Sequence, residues 1–140
     1  MLSIKRVINA PVEKVFEAWT NSEMSKHWLS PENFTTASSS MEPKIGGVFK
    51  VAMKGEDGIH TATGVVKELV PNQKLVITWV WEGHDMGDGE TLITLDFKAL
   101  GANSTELTLT HEMLKSEKSK AAHTHGWEST FNNLQKFLAK

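Results

Sequence analysis

The sequence predicts an α+β fold in which a curved antiparallel sheet packs against one long C-terminal helix. Short segments of alternating apolar and polar residues fill the middle of the chain and predict about six strands. The segment from Glu117 to Lys140 predicts a helix, because large apolar residues recur at i, i+4, i+7 and i+11. Strongly twisted sheets curl, and this helix offers the long apolar surface needed to fill the concave side. The apolar residues of the helix are Trp127, Phe131, Leu134 and Leu138.

The N-terminal segment predicts one strand and two short helices. The β-branched run from Ser3 to Asn9 is typical of a strand. A helix is expected to begin at Ala10-Pro11, because proline is preorganised for the first helical position. Ser22 is expected to cap a second helix, which ends before Pro31. The first helix has apolar residues at helical spacing, at Val12, Val15, Phe16 and Trp19.

The remaining strands follow one another with short turns between them. Residues 34–42 are polar and predict an exposed edge strand. Gly64 lies inside a long strand pattern, which indicates a bulge or the close approach of another backbone. Residues 83–89 are rich in glycine and predict a loop. Further strands are predicted at 49–54, 60–70, 74–81, 93–98 and 106–113.

Length, charge and composition limit the classes of function. A chain of 140 residues predicts a single domain over 1–140. A net charge of -2 argues against binding of nucleic acid or of an anionic membrane surface. The absence of cysteine excludes disulfides, thiolate metal sites and a cysteine nucleophile. Without a signal peptide or a membrane span in the sequence, we expect a soluble cytoplasmic protein, as a monomer or a homodimer.

The order of these elements resembles the START-like SRPBCC superfamily. Within it, the sequence is similar to the family related to the C-terminal domain of the activator of heat-shock protein 90 ATPase. The resemblance implies a helix-grip fold, in which a curved sheet of six to seven strands surrounds the long helix and an apolar cavity. We expect this chain to lack the additional N-terminal domain of the eukaryotic co-chaperone. The matching segments are residues 10–19, Trp28, residues 45–49, 64–68, 77–81 and 107–111, Gly126-Trp127, Leu134 and Leu138.

The candidate binding site consists of residues expected to face the space between sheet and helix. Aromatic rings there would either line a cavity for a ligand or form an ordinary packed core. Trp79 and Trp81 share a strand phase and therefore a face. His111 lies in the buried phase of its strand, where it would be an acid/base, a ligand anchor or a hydrogen-bonded core histidine. The candidate ligand-binding residues are Trp28, Phe49, Val51, Met53, Trp79, Trp81, His111, His123, Trp127 and Phe131.

The leading hypothesis is that the protein binds a small hydrophobic or amphipathic ligand without catalysis. A chaperone or another protein partner is the first alternative, and it depends on the resemblance alone. The second is a cyclase- or hydrolase-like enzyme using His111 or Glu68 as acid/base. No cofactor or metal is expected, because His123 and His125 diverge by about 200° on a helix. The acidic and histidine residues of the glycine-rich loop are expected to form a solvated turn, at His84, Asp85, Asp88 and Glu90.

Overall fold

The computed structural model describes residues 1–83 and 88–139, in which seven strands form one antiparallel sheet and three helices pack beside it. The strand order is β1-β7-β6-β5-β4-β3-β2, so the first two strands of the chain lie at opposite edges of the sheet. This arrangement confirms the predicted α+β helix-grip architecture. The elements are β1 (Leu2–Ile8), α1 (Val12–Thr20), α2 (Ser22–Ser25), β2 (Thr35–Met41), β3 (Val48–Gly55), β4 (Gly58–Val70), β5 (Lys74–Trp81), β6 (Thr91–Gly101), β7 (Ser104–Glu112) and α3 (Glu117–Leu138).

Helix α3 buries the predicted apolar face against the curled sheet. Trp127, Phe131 and Leu134 are buried, while Leu138 is only partly covered at the end of the helix. Burial of side chains of this size contributes about 1.5–3 kcal/mol each, so this face is the main contact that holds the helix. Arg6 of β1 adds a polar connection, because its guanidinium donates to the side-chain oxygen of Asn132 over 2.6 Å.

Gly64 lies where the backbone of β5 approaches β4 closely. A Cβ atom at this position would lie 1.9 Å from the backbone oxygen of Thr78 and 2.4 Å from a ring carbon of Phe49. Only glycine fits such a contact. The pairing of β4 with β5 also shifts between Val66 and Glu68, which is a bulge. The prediction of a bulge or close approach at Gly64 is therefore confirmed, and a bulge of this kind increases the local twist of the sheet.

The predicted caps of the two N-terminal helices are wrong in detail. Pro11 precedes α1 with an extended ψ of 148°, and the helix begins at Val12. Asn21, not Ser22, caps α2, because its side-chain oxygen accepts the backbone N–H of Glu23 over 2.9 Å. The hydroxyl of Ser22 instead accepts the backbone N–H of Met41 over 3.0 Å. Ser22 thus fastens α2 to the edge strand β2.

Strand β7 ends earlier than the sequence predicts. It stops at Glu112, and Met113 has a positive φ of 73° and an exposed side chain. The chain turns here to reach Ser116, whose hydroxyl accepts the backbone N–H of Ser119 and begins α3. No helix within 1–83 and 88–139 combines the length and the hydropathy needed to cross a bilayer.

Candidate functional site

A layer of aromatic rings lies between the sheet and α3. The ring of Trp127 contacts those of Trp79, Trp19 and Phe131, with centroid distances of 5.1, 6.2 and 6.4 Å. Phe49 of β3 stacks on Trp79 at 5.7 Å. Rings at these distances are in contact, and tilted arrangements of this kind are favourable for aromatic pairs. The alternation of β3 and β5 places these rings on the same face of the sheet.

His111 is completely buried beside this layer, and both of its ring nitrogens are hydrogen-bonded. The indole N–H of Trp127 donates to Nδ1 over 3.2 Å, so the ring proton is on Nε2. Nε2 donates to the hydroxyl of Thr91 over 2.8 Å, and that hydroxyl donates to the backbone oxygen of Trp79. Burial, together with the neighbouring His123, lowers the pKa of His111 to about 3. His111 is therefore a neutral, satisfied histidine at physiological pH.

His123 of α3 is held by the same kind of hydrogen bond, from a tryptophan of β5. The indole N–H of Trp81 donates to its Nε2 over 3.1 Å, and its Nδ1 donates to the backbone oxygen of Ser119 over 2.8 Å. The rings of His111 and His123 meet edge to face at 4.9 Å. In each imidazole the acceptor nitrogen is occupied by a tryptophan N–H, so neither offers a free acceptor to a ligand in this conformation.

Asp88 extends this network to the start of α3, a role that no sequence pattern predicts. The residue is buried, and its carboxylate accepts the backbone N–H of Lys115 over 2.7 Å and the hydroxyl of Ser119 over 2.5 Å. Burial alone would raise the pKa of Asp88, but these two hydrogen bonds hold it below its ordinary value. The expected solvated turn is thus wrong at Asp88. Its partners lie 27 and 31 residues away, so no local sequence signal marks it.

Two buried indole N–H groups in the aromatic layer remain unpaired. Within residues 1–83 and 88–139, Nε1 of Trp19 and Nε1 of Trp79 have no hydrogen-bond partner. Their side chains are only 3% and 2% exposed, respectively, so solvent does not reach them readily. Buried polar groups in proteins are normally satisfied, which makes these two donors the exceptional feature of the interior.

The sequence also matches a known protein family over nearly its whole length. The sequence profile of the family described as "Activator of Hsp90 ATPase homolog 1-like protein" matches residues 9–139. The chain belongs to this family. Its START-like fold is consistent with ligand binding or with protein interaction. No curated protein matches the sequence significantly.

Solved structures from several bacteria share the family fold. The AHSA1 protein of Silicibacter pomeroyi superimposes with a TM-score of 0.84 at 23% identity, over 99% of this chain and 96% of that one. A protein of Rhodobacter sphaeroides gives 0.83 at 25% identity, over 99% and 91%. A protein of Chromobacterium violaceum gives 0.82 at 22% identity, over 99% and 97%. These similarities show the fold.

The structure of this family member brings all ten predicted site residues into its interior. Trp81 is half-buried and the other nine are buried, with His111 and Phe131 completely inaccessible. Trp79 and Trp81 meet edge to face at 5.4 Å, which confirms that they share a face of the sheet. Trp28 lies farther along the layer, against Trp19 at 4.7 Å. Binding of a ligand by these residues stays a prediction.

Apart from Asp88, the other candidate residues that the structure describes in this AHSA1-family chain lie outside the interior. The side chain of Glu68 is 56% exposed, and its carboxylate lies 3.7 Å from the ammonium of Lys74. His125 and Glu90 are exposed, whereas His84 and Asp85 fall outside the described residues. Among the residues that the structure describes, no cluster of His, Asp or Glu could hold a metal ion. Of the two alternative acid/base candidates, Glu68 is exposed to solvent, whereas His111 is buried in the interior.

Two depressions on the surface of the molecule are separate from the aromatic layer. One of about 600 Å³ is lined by the outer face of α3, including Lys120, Thr124 and Glu128. Another of about 440 Å³ lies between His27 and the end of α3 at Phe137. None of the ten predicted site residues lines either depression.

Proposed function

We propose that this protein binds a small apolar or amphipathic molecule between the sheet and α3, without chemical conversion. The supporting observation is the pair of unpaired indole N–H groups, of Trp19 and Trp79, in an otherwise apolar and aromatic interior. A buried donor without a partner costs roughly 1–3 kcal/mol. A ligand that brings a hydrogen-bond acceptor to these groups would recover that free energy and gain the contact area of the rings.

The hydrogen bonds of the histidines support binding rather than catalysis. A general base needs a free lone pair within reach of the substrate proton. The acceptor nitrogens of His111 and His123 are both occupied by tryptophan N–H groups. Glu68 is exposed and paired with Lys74. We therefore assign the histidines a structural role in shaping the interior.

Ligand binding requires the aromatic rings to separate. Trp127 contacts the ring of Trp79 directly, and the surface depressions lie elsewhere. Binding therefore needs an open conformation, in which the ligand replaces ring–ring contacts. We expect the ligand to insert between α3 and the sheet at Trp79 and Trp127. Because the protein must open first, association should be slower than the diffusion limit.

The test is a ligand screen that is read at the indole groups themselves. The chain has five tryptophans, so a ¹⁵N-labelled sample gives five separate indole N–H resonances. Native mass spectrometry of the purified protein, with mixtures of lipids and aromatic acids, would identify species that bind. We expect a bound species to shift the Trp19 and Trp79 resonances downfield, because their N–H groups gain an acceptor.

A matched pair of variants separates loss of the donor from loss of packing. Trp79→Phe removes one free N–H and should weaken binding about ten-fold, the value of one hydrogen bond. Phe97→Leu removes a buried ring that packs on Phe16, 5.1 Å away, and should leave affinity unchanged. The proposal fails if no compound binds at millimolar concentration, or if binding leaves the Trp19 and Trp79 resonances unmoved.

A further inference from the structure

The buried side-chain polar atoms that lack a hydrogen-bond partner in the described residues are both indole N–H donors. Trp28 donates to the backbone oxygen of Ala18, and the indoles of Trp81 and Trp127 donate to histidines. In the described part of the chain, the buried side-chain atoms left without a partner are the N–H groups of Trp19 and Trp79, and both are donors. A complementary ligand would therefore supply acceptors, because the buried side-chain atoms without any partner are donors.

Both free donors belong to rings that contact the same third ring. The centroid of Trp127 lies 5.1 Å from that of Trp79 and 6.2 Å from that of Trp19. A flat molecule in contact with Trp127 would thus be near both indoles. To reach these indoles, the acceptor atom of the ligand must be part of its flat body or be bonded directly to it.

The charges near the interior disfavour an anion. No lysine or arginine belongs to the buried residues described by the structure, and the only carboxylate among them is Asp88. The ring of His111 is neutral, because burial and the neighbouring His123 lower its pKa to about 3. The guanidinium of Arg6 lies 5.7 Å from the centroid of Phe131, but it is engaged by Asn132 and Gln135. A buried anion without a cation is strongly unfavourable.

We propose that the ligand is an uncharged molecule with a flat apolar body and an attached acceptor oxygen, such as a carbonyl or an ether. This inference rests on the proposed binding function and narrows it to one chemical class. It predicts that the site prefers a neutral ketone to the carboxylate of the same shape, and also to the hydrocarbon without oxygen. Preference over the carboxylate comes from charge, and preference over the hydrocarbon comes from the free indole N–H groups.

Three probes of nearly equal size test the two preferences separately. They are 2-acetonaphthone, 2-naphthoate and 2-ethylnaphthalene, titrated at pH 7 into ¹⁵N-labelled protein. We expect the ketone to bind at least ten-fold more tightly than either of the others. It should also move the indole resonances of Trp19 and Trp79 downfield. The Trp79→Phe variant should reduce the preference for the ketone over the hydrocarbon, because only the Trp19 donor remains, while Phe97→Leu should keep the full preference.

The remaining outcomes contradict the inference in distinguishable ways. Equal or tighter binding of 2-naphthoate would overturn the exclusion of anions and leave the binding function standing. Equal binding of 2-ethylnaphthalene would overturn the role of the indole donors. If none of the three binds while the broader screen finds an anionic ligand, the ligand class is wrong and the function stands. If neither the probes nor the screen gives a ligand, the proposed function fails as well.

Discussion

The indole N–H of Trp127 donates to Nδ1 of His111 over 3.2 Å, and this bond joins α3 to β7 inside the protein. A second bond of the same type runs in the opposite direction, from Trp81 of β5 to His123 of α3. Each bond pairs a tryptophan with a histidine across the boundary between sheet and helix. Together they fix the rotation of α3 and keep both imidazoles in a single tautomer.

Replacing Trp127 should separate its packing from its hydrogen bond. We expect Trp127→Ala to lower the free energy of unfolding by about 3–5 kcal/mol, the usual cost of deleting a buried ring. Trp127→Phe keeps most of the ring and leaves Nδ1 of His111 without a donor, so it should cost about 1–3 kcal/mol. Urea denaturation measures both values. A cost below about 1 kcal/mol for the alanine variant would contradict the placement of Trp127 in the core.

The depressed pKa of His111 predicts that the protein loses stability in mild acid. Its folded pKa is about 3, from a reference of 6.5. Below pH 6.5 the unfolded chain therefore binds a proton that the folded chain does not. As the pH is lowered, the free energy of unfolding decreases by up to about 1.4 kcal/mol per pH unit. The loss begins near pH 6.5 and ends only near pH 3.

The His111→Asn variant isolates this contribution. It lacks the titrating ring, so between pH 6.5 and 5 its stability should fall less steeply than that of the wild type. Comparison of slopes, from urea denaturation at several pH values, cancels the constant cost of the substitution. Equal slopes for the two proteins would show that His111 titrates normally when folded.

The fold was predictable because its signals are local. Residues 74–81 alternate along one strand, and β5 spans Lys74–Trp81 as predicted. The spacing from Trp127 to Leu134 defines the buried face of α3 in the same way. Caps were less predictable, because both Asn21 and Ser22 are suitable residues. The choice between them depends on Met41 of β2, whose backbone N–H donates to the hydroxyl of Ser22.

The site was predictable in its membership but not in its chemistry. Strand phase and helical spacing placed Trp79, His111 and Trp127 in one interior. Which donor meets which acceptor depends on distances between elements, which no periodicity encodes. Asp88 illustrates this limit, because an aspartate in a glycine-rich loop is typical of a turn. Its burial follows from contacts with Lys115 and Ser119 at the start of α3.

Gly64 should be among the residues least tolerant of substitution. In Gly64→Ala, the new methyl group would overlap the backbone oxygen of Thr78, so β4 and β5 must separate. We expect a loss of about 2 kcal/mol or more in the free energy of unfolding. Gly126→Ala is the matched control, because nothing lies within 4 Å of the added atom and the residue is inside α3. It should stabilise the protein by about 0.5–1 kcal/mol. Equal effects would contradict the close approach at Gly64.

Asp88 should control how firmly the start of α3 is held. Its carboxylate accepts from Lys115 and Ser119 next to the positive end of the helix dipole. Asp88→Ala removes both acceptors and should cost about 2–3 kcal/mol, whereas Asp88→Asn keeps one acceptor oxygen and should cost less. Asp96→Asn, on an exposed position of β6, should change stability by less than about 0.5 kcal/mol.

Hydrogen exchange gives a local measure of the same contact. The amide of Lys115 is bonded to the carboxylate of Asp88, so its exchange should accelerate in Asp88→Ala more than exchange in the centre of β7. A uniform acceleration would mean that the substitution acts only through global stability. Unchanged exchange at Lys115 would show that the carboxylate does not hold this segment. A selective effect would show that the Asp88 carboxylate holds the start of α3 locally, independently of global stability.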